Sequence, residues 1–370
     1  MVEVRLEGVG KSYDGVTDAI PDLNLLCPRG EMLALLGPSG CGKSSTLKMI
    51  AGIEPVSRGA IYFEGIDVSR RDTAERNVAM VFEDYALYPH LSVYENIAFP
   101  LRIRSMLRSE VSAQVDRVLD LLDLHGLRDA SVRKLSGGAQ QRVSIGRALV
   151  REPSLVMFDE PLSHLDADQK VQLRTEIKRL QTTSRLTSVL VTHDQNEAIS
   201  MADRIAVMDK GVLQQVDTPA RVYDEPANLF VAGFIGEPPM NVLSARVLRE
   251  QDDLFVVFHG RLRLPVPASL RAALAAYLEG PPIVVGVRPE HVSLGQQGGE
   301  APALGARLAR REPCGDRDVL VADTPLGKVV AEVPGPTDLM PGEQLWLRLD
   351  PAHLHFFNAQ TSANVLAETA

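Results

Sequence analysis

Short unbroken apolar runs punctuate the first 235 residues: "MLALL" at Met32–Leu36, "LVMF" at Leu155–Phe158 and "SVLVT" at Ser188–Thr192. Runs of this length, without polar alternation and separated by helical stretches, predict parallel strands covered on both faces, hence an α/β domain. The pattern changes at "FVAGFIGEPPMN", where Gly233, Gly236, Pro238 and Pro239 interrupt the chain before Asn241. Many short candidate strands follow, among them "LFVVF", "IVVGV", "DVLVAD", "KVVAEV" and "QLWLRL", with one helical pattern, "ASLRAALAAYL" from Ala268 to Leu278. A small all-β barrel over 236–370 fits these better than a second α/β sheet, which places the domain boundary after residue 235.

Composition narrows the class. The chain has 370 residues, 45% of them hydrophobic, enough for two buried cores. No segment approaches the roughly 18 uninterrupted apolar residues of a membrane span, and Glu3, Arg5 and Glu7 interrupt any apolar leader, so a cytoplasmic protein is expected. Cys27, Cys41 and Cys314 have neither an even count nor CxxC spacing, which suits a reducing compartment. A net charge of −9 argues against nucleic-acid binding and direct adhesion to anionic lipid. Any membrane role is therefore expected to run through protein contacts.

Chemistry enters at "GPSGCGKSS": Gly37, Pro38, Ser39, Gly40, Cys41, Gly42, Lys43, Ser44 and Ser45. The stretch matches G-x-x-x-x-G-K-[ST] between an apolar strand and a helix, the context of a phosphate loop. Its backbone N–H groups and Lys43 would cradle phosphates, and Ser44 would ligate Mg²⁺. "LVMFDEP" sets Asp159 and Glu160 at the carboxyl end of an apolar strand, where open α/β sheets bind ligands. Asp159 suits the metal's surroundings and Glu160 the base or water-positioning role of phosphoryl transfer. "LSGGAQQRVSIGRALV", Leu135–Val150, offers a second anion-binding helix start. One nucleotide does not need two such starts from one subunit; a homodimer, each "LSGG" facing the other's phosphate loop, accounts for both.

With these motifs in this order, followed by "LSHLD" at Leu162–Asp166 and "VTHD" ending a strand at His193, the chain resembles the ATP-binding-cassette ATPases along its whole length. The resemblance implies ATP and Mg²⁺ as cofactors and a helical subdomain over about 84–150. It also implies that Tyr13 of "KSYDG" stacks on adenine, that Ser136, Gly137 and Gly138 close on the γ-phosphate across the dimer, that Asp166 couples the two sites, and that His193 contacts the γ-phosphate. Tyr13 as a simple edge-strand aromatic and His193 as a structural strand end stay open at this point. "VFEDYALYPHLSVYENIAFPLR", "PANLFVAGFIGEPPMN" and "GVRPEH" are similar to the maltose-importer ATPase type, importers of oligosaccharides, polyols and related solutes. That subgroup carries a C-terminal OB-like, TOBE-type regulatory domain. It works at the cytoplasmic face of the membrane under two permease subunits, with a separate extracytoplasmic solute-binding protein. Tyr85 to His90 are the expected permease contact, unless those rings only pack the helical subdomain.

Three positions depart from the family pattern. Ala139 stands where the signature usually has glutamine, which removes a side-chain contact to the nucleotide, on the order of 1 kcal/mol. Glu83 also replaces a usual glutamine. It ligates Mg²⁺, or is protonated and imitates glutamine, or is without consequence; metal ligation is the hypothesis carried forward. His164 in "LSHLD" is expected to be inconsequential. Two rivals to a transport ATPase remain: a soluble cassette ATPase, which the short distance between Lys43 and "LSGG" and the acidic charge disfavour, and a cassette that binds nucleotide but scarcely turns it over.

Overall fold

The computed structural model describes residues 1–251, 253–259, 262–278, 280, 282–297 and 302–368. The chain divides into two compact units, Met1–Pro219 and Ala220–Ala370.

In the first unit the continuous apolar runs become the middle of a six-stranded sheet. Its order is Val212–Asp217, Arg204–Asp209, Met32–Leu36, Ser188–Thr192, Leu155–Asp159, Val78–Val81. All strands but the first run parallel, and Met32–Leu36 and Ser188–Thr192 are buried at every position. That is why neither run alternates with polar residues: helices and a second sheet leave no wet face. The second sheet is antiparallel, ordered Asp18–Cys27, Val4–Ser12, Arg58–Phe63, Ile66–Asp67. One core joins the layers, with Leu33, Leu47, Ile61, Met157 and Val189 among its members.

Parallel alignment has a functional consequence. Register pairs Leu36 with Thr192 and Asp159 with Val191, so the carboxyl ends of these three strands open onto one edge, where ligands of such sheets bind. Beyond the strand Val78–Val81 the chain turns into helices Val93–Ile103, Arg108–Leu121 and Gly137–Leu149. The first begins with a capping box, Ser92 Oγ accepting from Glu95 N at 3.2 Å while Glu95 Oε2 accepts from Ser92 N at 2.9 Å.

The second unit is all-β apart from short helices. Two five-stranded antiparallel sheets face one core. They are ordered Leu262–Pro265, Asp253–Phe258, Asn241–Glu250, Ile283–Val287, Leu354–Asn358, and Val292–Leu294, Gln344–Leu349, Leu304–Pro313, Arg317–Thr324, Gly327–Pro334. Every strand anticipated from the pattern is present. The side chain of Asn241 ties the sheets together, donating to Val330 O at 2.8 Å and accepting from Val330 N at 2.7 Å.

One expectation needs revision, and the second compact unit begins earlier than the expected domain boundary. The helix expected over Ala268–Leu278 is a single α turn, Arg271–Leu274, between two 3-10 turns; Leu278 is extended and bridges to Val247. The expected boundary after residue 235 falls inside the second unit, because helices Pro219–Asp224 and Leu229–Phe234 are fastened there. Buried Arg288 donates to Ile235 O at 2.7 Å and to Tyr223 O, with its guanidinium 3.5 Å over the Tyr223 ring. Asn364 donates to Pro226 O and Ala227 O.

Candidate functional site

The phosphate loop leaves the buried strand Met32–Leu36 at Gly37, where a Cβ would lie 2.2 Å from Met208 O, so no other residue fits. Gly42 enters the helix Lys43–Ala51 at φ 105°, a conformation favouring glycine. Lys43 is buried, its ammonium donating to the carbonyls of Gly37 at 2.6 Å and Pro38 at 3.0 Å, so the charge is held within the loop. Ser44 is exposed at the start of the helix. Tyr13, 62% exposed, is anchored beside this helix by its hydroxyl: 2.7 Å from Ser45 Oγ, and donating to Glu54 Oε2 at 2.7 Å. Lys11 Nζ sits 4.8 Å over its ring. The ring face is thus presented next to the loop rather than lost in the sheet edge.

Asp159 and Glu160 end the neighbouring strand. Glu160 adopts φ 47°, unusual for a residue with a side chain, while its N–H still bonds Val191 O at 2.9 Å. Its carboxylate reaches His193, whose Nδ1 is 2.8 Å from Glu160 Oε2. His193 is placed by its neighbours: Thr192 Oγ1 accepts from Asp194 N at 3.0 Å, and Asp194 caps the next helix through Asn196 N and Glu197 N. Burial, followed by the charges of Glu160 and Glu83, pushes the Asp159 carboxyl above its ordinary range against the pull of Lys48 and Lys43. Glu83 stands two residues past its strand, 48% exposed, with Oε1 3.6 Å from His164 Nε2. The residue expected to be inconsequential therefore neighbours the unexpected carboxylate: two departures from the family pattern meet in space.

Ser136, Gly137 and Gly138 form a second group. Ser136 caps the helix Gly137–Leu149, its Oγ accepting from Ala139 N at 3.4 Å. Asp166 caps the helix Ala167–Ser184 through Gln169 N at 2.9 Å, and Gln169 reaches Gly138 N. Ala139 is buried in the first turn. The stretch Tyr85–His90 is clamped from behind: Ser144 Oγ donates to Tyr85 O at 2.9 Å, and Arg147 donates to Ala86 O at 2.6 Å and Tyr85 O at 3.0 Å. Tyr88 packs on Phe99, ring centroids 4.4 Å apart. With Phe82, Pro100, Ile103, Arg104 and Arg151 it lines an open apolar groove of about 700 Å³. Of the expected contact residues only Tyr88 lines that groove; Tyr85 turns toward the signature, its hydroxyl 3.4 Å from where a Gly137 Cβ would lie.

Sequence reasoning did not single out Arg147, Gln169 or Glu54. Gln169 had a signal, since Asp166-x-x-Gln169 has the spacing of a capping box; Arg147 and Glu54 had none.

Comparison with known proteins identifies the family. The family model described as "ABC transporter" matches residues 20–163, "MalK OB fold domain" matches 236–292 and "TOBE domain" matches 285–357. An sn-glycerol-3-phosphate import ATP-binding protein, UgpC, of Cereibacter sphaeroides is 43% identical, over 98% of this chain and 99% of its own. Among solved structures, cbiO1 of Clostridium perfringens, part of the cbiONQ transporter complex, superposes with TM-score 0.57 at 28% identity, covering 60% of this chain and 90% of its own. The ATP-binding cassette MJ0796, dimeric in a post-hydrolysis state with ADP and Pi, gives 0.52 at 30%, covering 58% and 98%. The chain therefore belongs to the ABC transporter ATP-binding proteins, and ATP is the nucleotide it binds and hydrolyses.

Proposed function

We propose that the chain is the ATP-hydrolysing subunit of an importer for sn-glycerol-3-phosphate or a related polyol or sugar, acting as a homodimer at the cytoplasmic face of the membrane. The likeness to the sn-glycerol-3-phosphate import protein supports the importer role and the solute, and the observation that supports hydrolysis is the Glu160–His193 pair, 2.8 Å apart, at the same sheet edge as the phosphate loop. Glu160 there takes the proton of, or orients, the attacking water, and His193 holds that carboxylate in place and reaches the γ-phosphate. Lys43 and the loop N–H groups bind the phosphates, and Tyr13 offers its ring to the adenine. Ser136, Gly137 and Gly138 meet the γ-phosphate bound to the partner protomer, as the dimeric MJ0796 relative encourages, and Asp166 links the two sites.

The donor set suits Mg²⁺. Ser44, Asp159 and Glu83 are all hard oxygen donors, and among the described residues no three His, Cys, Asp or Glu side chains form a metal cage. Mg²⁺ commonly takes one or two carboxylates plus substrate phosphates. Those three residues would hold it, and when bound it would neutralise charge developing on the phosphates.

No described helix is long and apolar enough to cross a membrane, so transport requires permease partners. The groove beside Tyr88, with Ile103 exposed at its rim, offers a largely apolar lining on which a permease helix could dock. A solute-binding protein outside completes the system. Co-purification with membrane permease subunits tests the transport role. In the reconstituted complex, sn-glycerol-3-phosphate should stimulate ATP hydrolysis more than an oligosaccharide does. Full activity without any membrane partner would favour a soluble ATPase instead.

A further inference from the structure

The helix Ala167–Ser184 opens with Asp166 as cap and Gln169 three residues on. In a capping box the glutamine would fold back onto the cap's own N–H. Here its amide turns outward: Nε2 donates to Asp166 Oδ2 at 2.6 Å and Oε1 accepts from Gly138 N at 3.2 Å. That oxygen would lie 3.4 Å from a Gly138 Cβ and 3.8 Å from a Gly137 Cβ, so Gln169 lies against the glycine face of the signature turn. The start of the helix Gly137–Leu149 is thereby engaged twice within the chain, by Ser136 Oγ on Ala139 N and by Gln169 on Gly138 N. Ala139 brings no amide of its own to this face.

A phosphate arriving at Gly138 N–H must displace Gln169 Oε1, and a charged phosphate oxygen is the stronger acceptor. The amide is rigid and planar, so swinging its oxygen away also withdraws Nε2 from Asp166 Oδ2. We propose that Gln169 is a positioning residue that latches the signature turn: it holds Gly138 N–H until a γ-phosphate displaces it, and the same movement frees Asp166 Oδ2 to engage the partner protomer. The proposal rests on the reading that Ser136–Gly138 meet the partner's γ-phosphate.

ATP-dependent self-association of the full chain tests it, measured by sedimentation in a Glu160→Gln background so that hydrolysis does not consume the complex. Gln169→Met and Gln169→Leu keep bulk and helix propensity while removing both amide bonds. With either, the ATP concentration for half-maximal association should fall about fivefold, the loss of one competing neutral hydrogen bond. ATP binding to the monomer, followed with a fluorescent analogue, should not change. An unchanged or higher association midpoint overturns the latch. Ser136→Arg in the same background separates this from the underlying reading. If it abolishes association while ATP still binds, and the Gln169 variants do nothing, only the latch fails; if association survives Ser136→Arg, the signature does not meet the phosphate and both fall.

Discussion

Glu83→Gln alters the charge of one group while keeping its length, and it distinguishes the roles open to that carboxylate. Glu83 is about half exposed, so the appropriate dielectric is near that of water. A unit negative charge and a divalent cation ~4 Å apart then attract by about 2 kcal/mol, roughly thirtyfold in affinity. The amide oxygen of glutamine remains a neutral donor and recovers part of this, which leaves an expected rise of about tenfold in the Mg²⁺ concentration for half-maximal ATPase rate. The assay is hydrolysis against free Mg²⁺ at saturating ATP, with ATP-dependent Mn²⁺ binding by spin resonance as an independent readout. A second consequence concerns Asp159, which burial and then the charges of Glu160 and Glu83 push upward. Removing the Glu83 charge lowers that carboxyl toward its ordinary range. Asp159 must be ionised to hold the cation, so activity lost on acidification should be lost at a lower pH in the variant. An unchanged Mg²⁺ titration refutes metal ligation, because a protonated or inconsequential Glu83 would make the substitution silent.

Four further outcomes follow from the geometry. Glu160→Gln should cut turnover by about 10²–10⁴-fold with ATP affinity retained, whereas His193→Ala, which removes the partner 2.8 Å from that carboxylate, should cost about ten- to a hundredfold; steady-state hydrolysis beside equilibrium ATP binding checks both. Cys41 is only 2% exposed and its Sγ lies 3.8 Å from Lys43 Nζ. A maleimide should therefore label exposed Cys314 first without loss of activity, then Cys41 slowly with inhibition, and MgATP should slow only the second step; equal Cys41 labelling with and without nucleotide would remove the idea. Burial, with Arg288, His291 and His353 as positive neighbours, pushes the His355 imidazole down to about 4. An unfolded imidazole takes its proton near ~6.5, so this contribution to stability is complete above that pH and is lost on acidification toward about 4, by roughly 3 kcal/mol. Urea midpoints at about pH 7.5 and 4.5 should differ less in His355→Phe than in the native chain; an equal drop would assign acid sensitivity elsewhere.

What could be read in the sequence was whatever depends on local pattern. Unbroken apolar runs meant parallel strands, and residues at or just past the ends of such runs share an edge once the strands align, so Gly37, Asp159, Glu160 and His193 lie at the carboxyl ends of neighbouring strands. What could not be read depends on side chains meeting across the fold. Periodicity is silent on which carbonyls Arg147 clamps, and nothing near His164 in the chain announces Glu83 as its neighbour. The boundary shows the same limit: glycines and prolines from Gly233 to Pro239 look like a linker, yet Arg288, far along the chain, binds Tyr223 O and Ile235 O and gathers those helices into the second unit. A buried guanidinium left without acceptors costs several kcal/mol, so such carbonyls are committed wherever the arginine arrives. Gln169 lies between the two cases. Its spacing from Asp166 announced a cap, and the cap formed through its backbone N–H, but the side chain went to Gly138. A local motif thus fixed the helix start and left its amide available for a long-range contact. The signature turn, which has alanine at 139, thus meets an amide from another helix, that of Gln169, at Gly137 and Gly138.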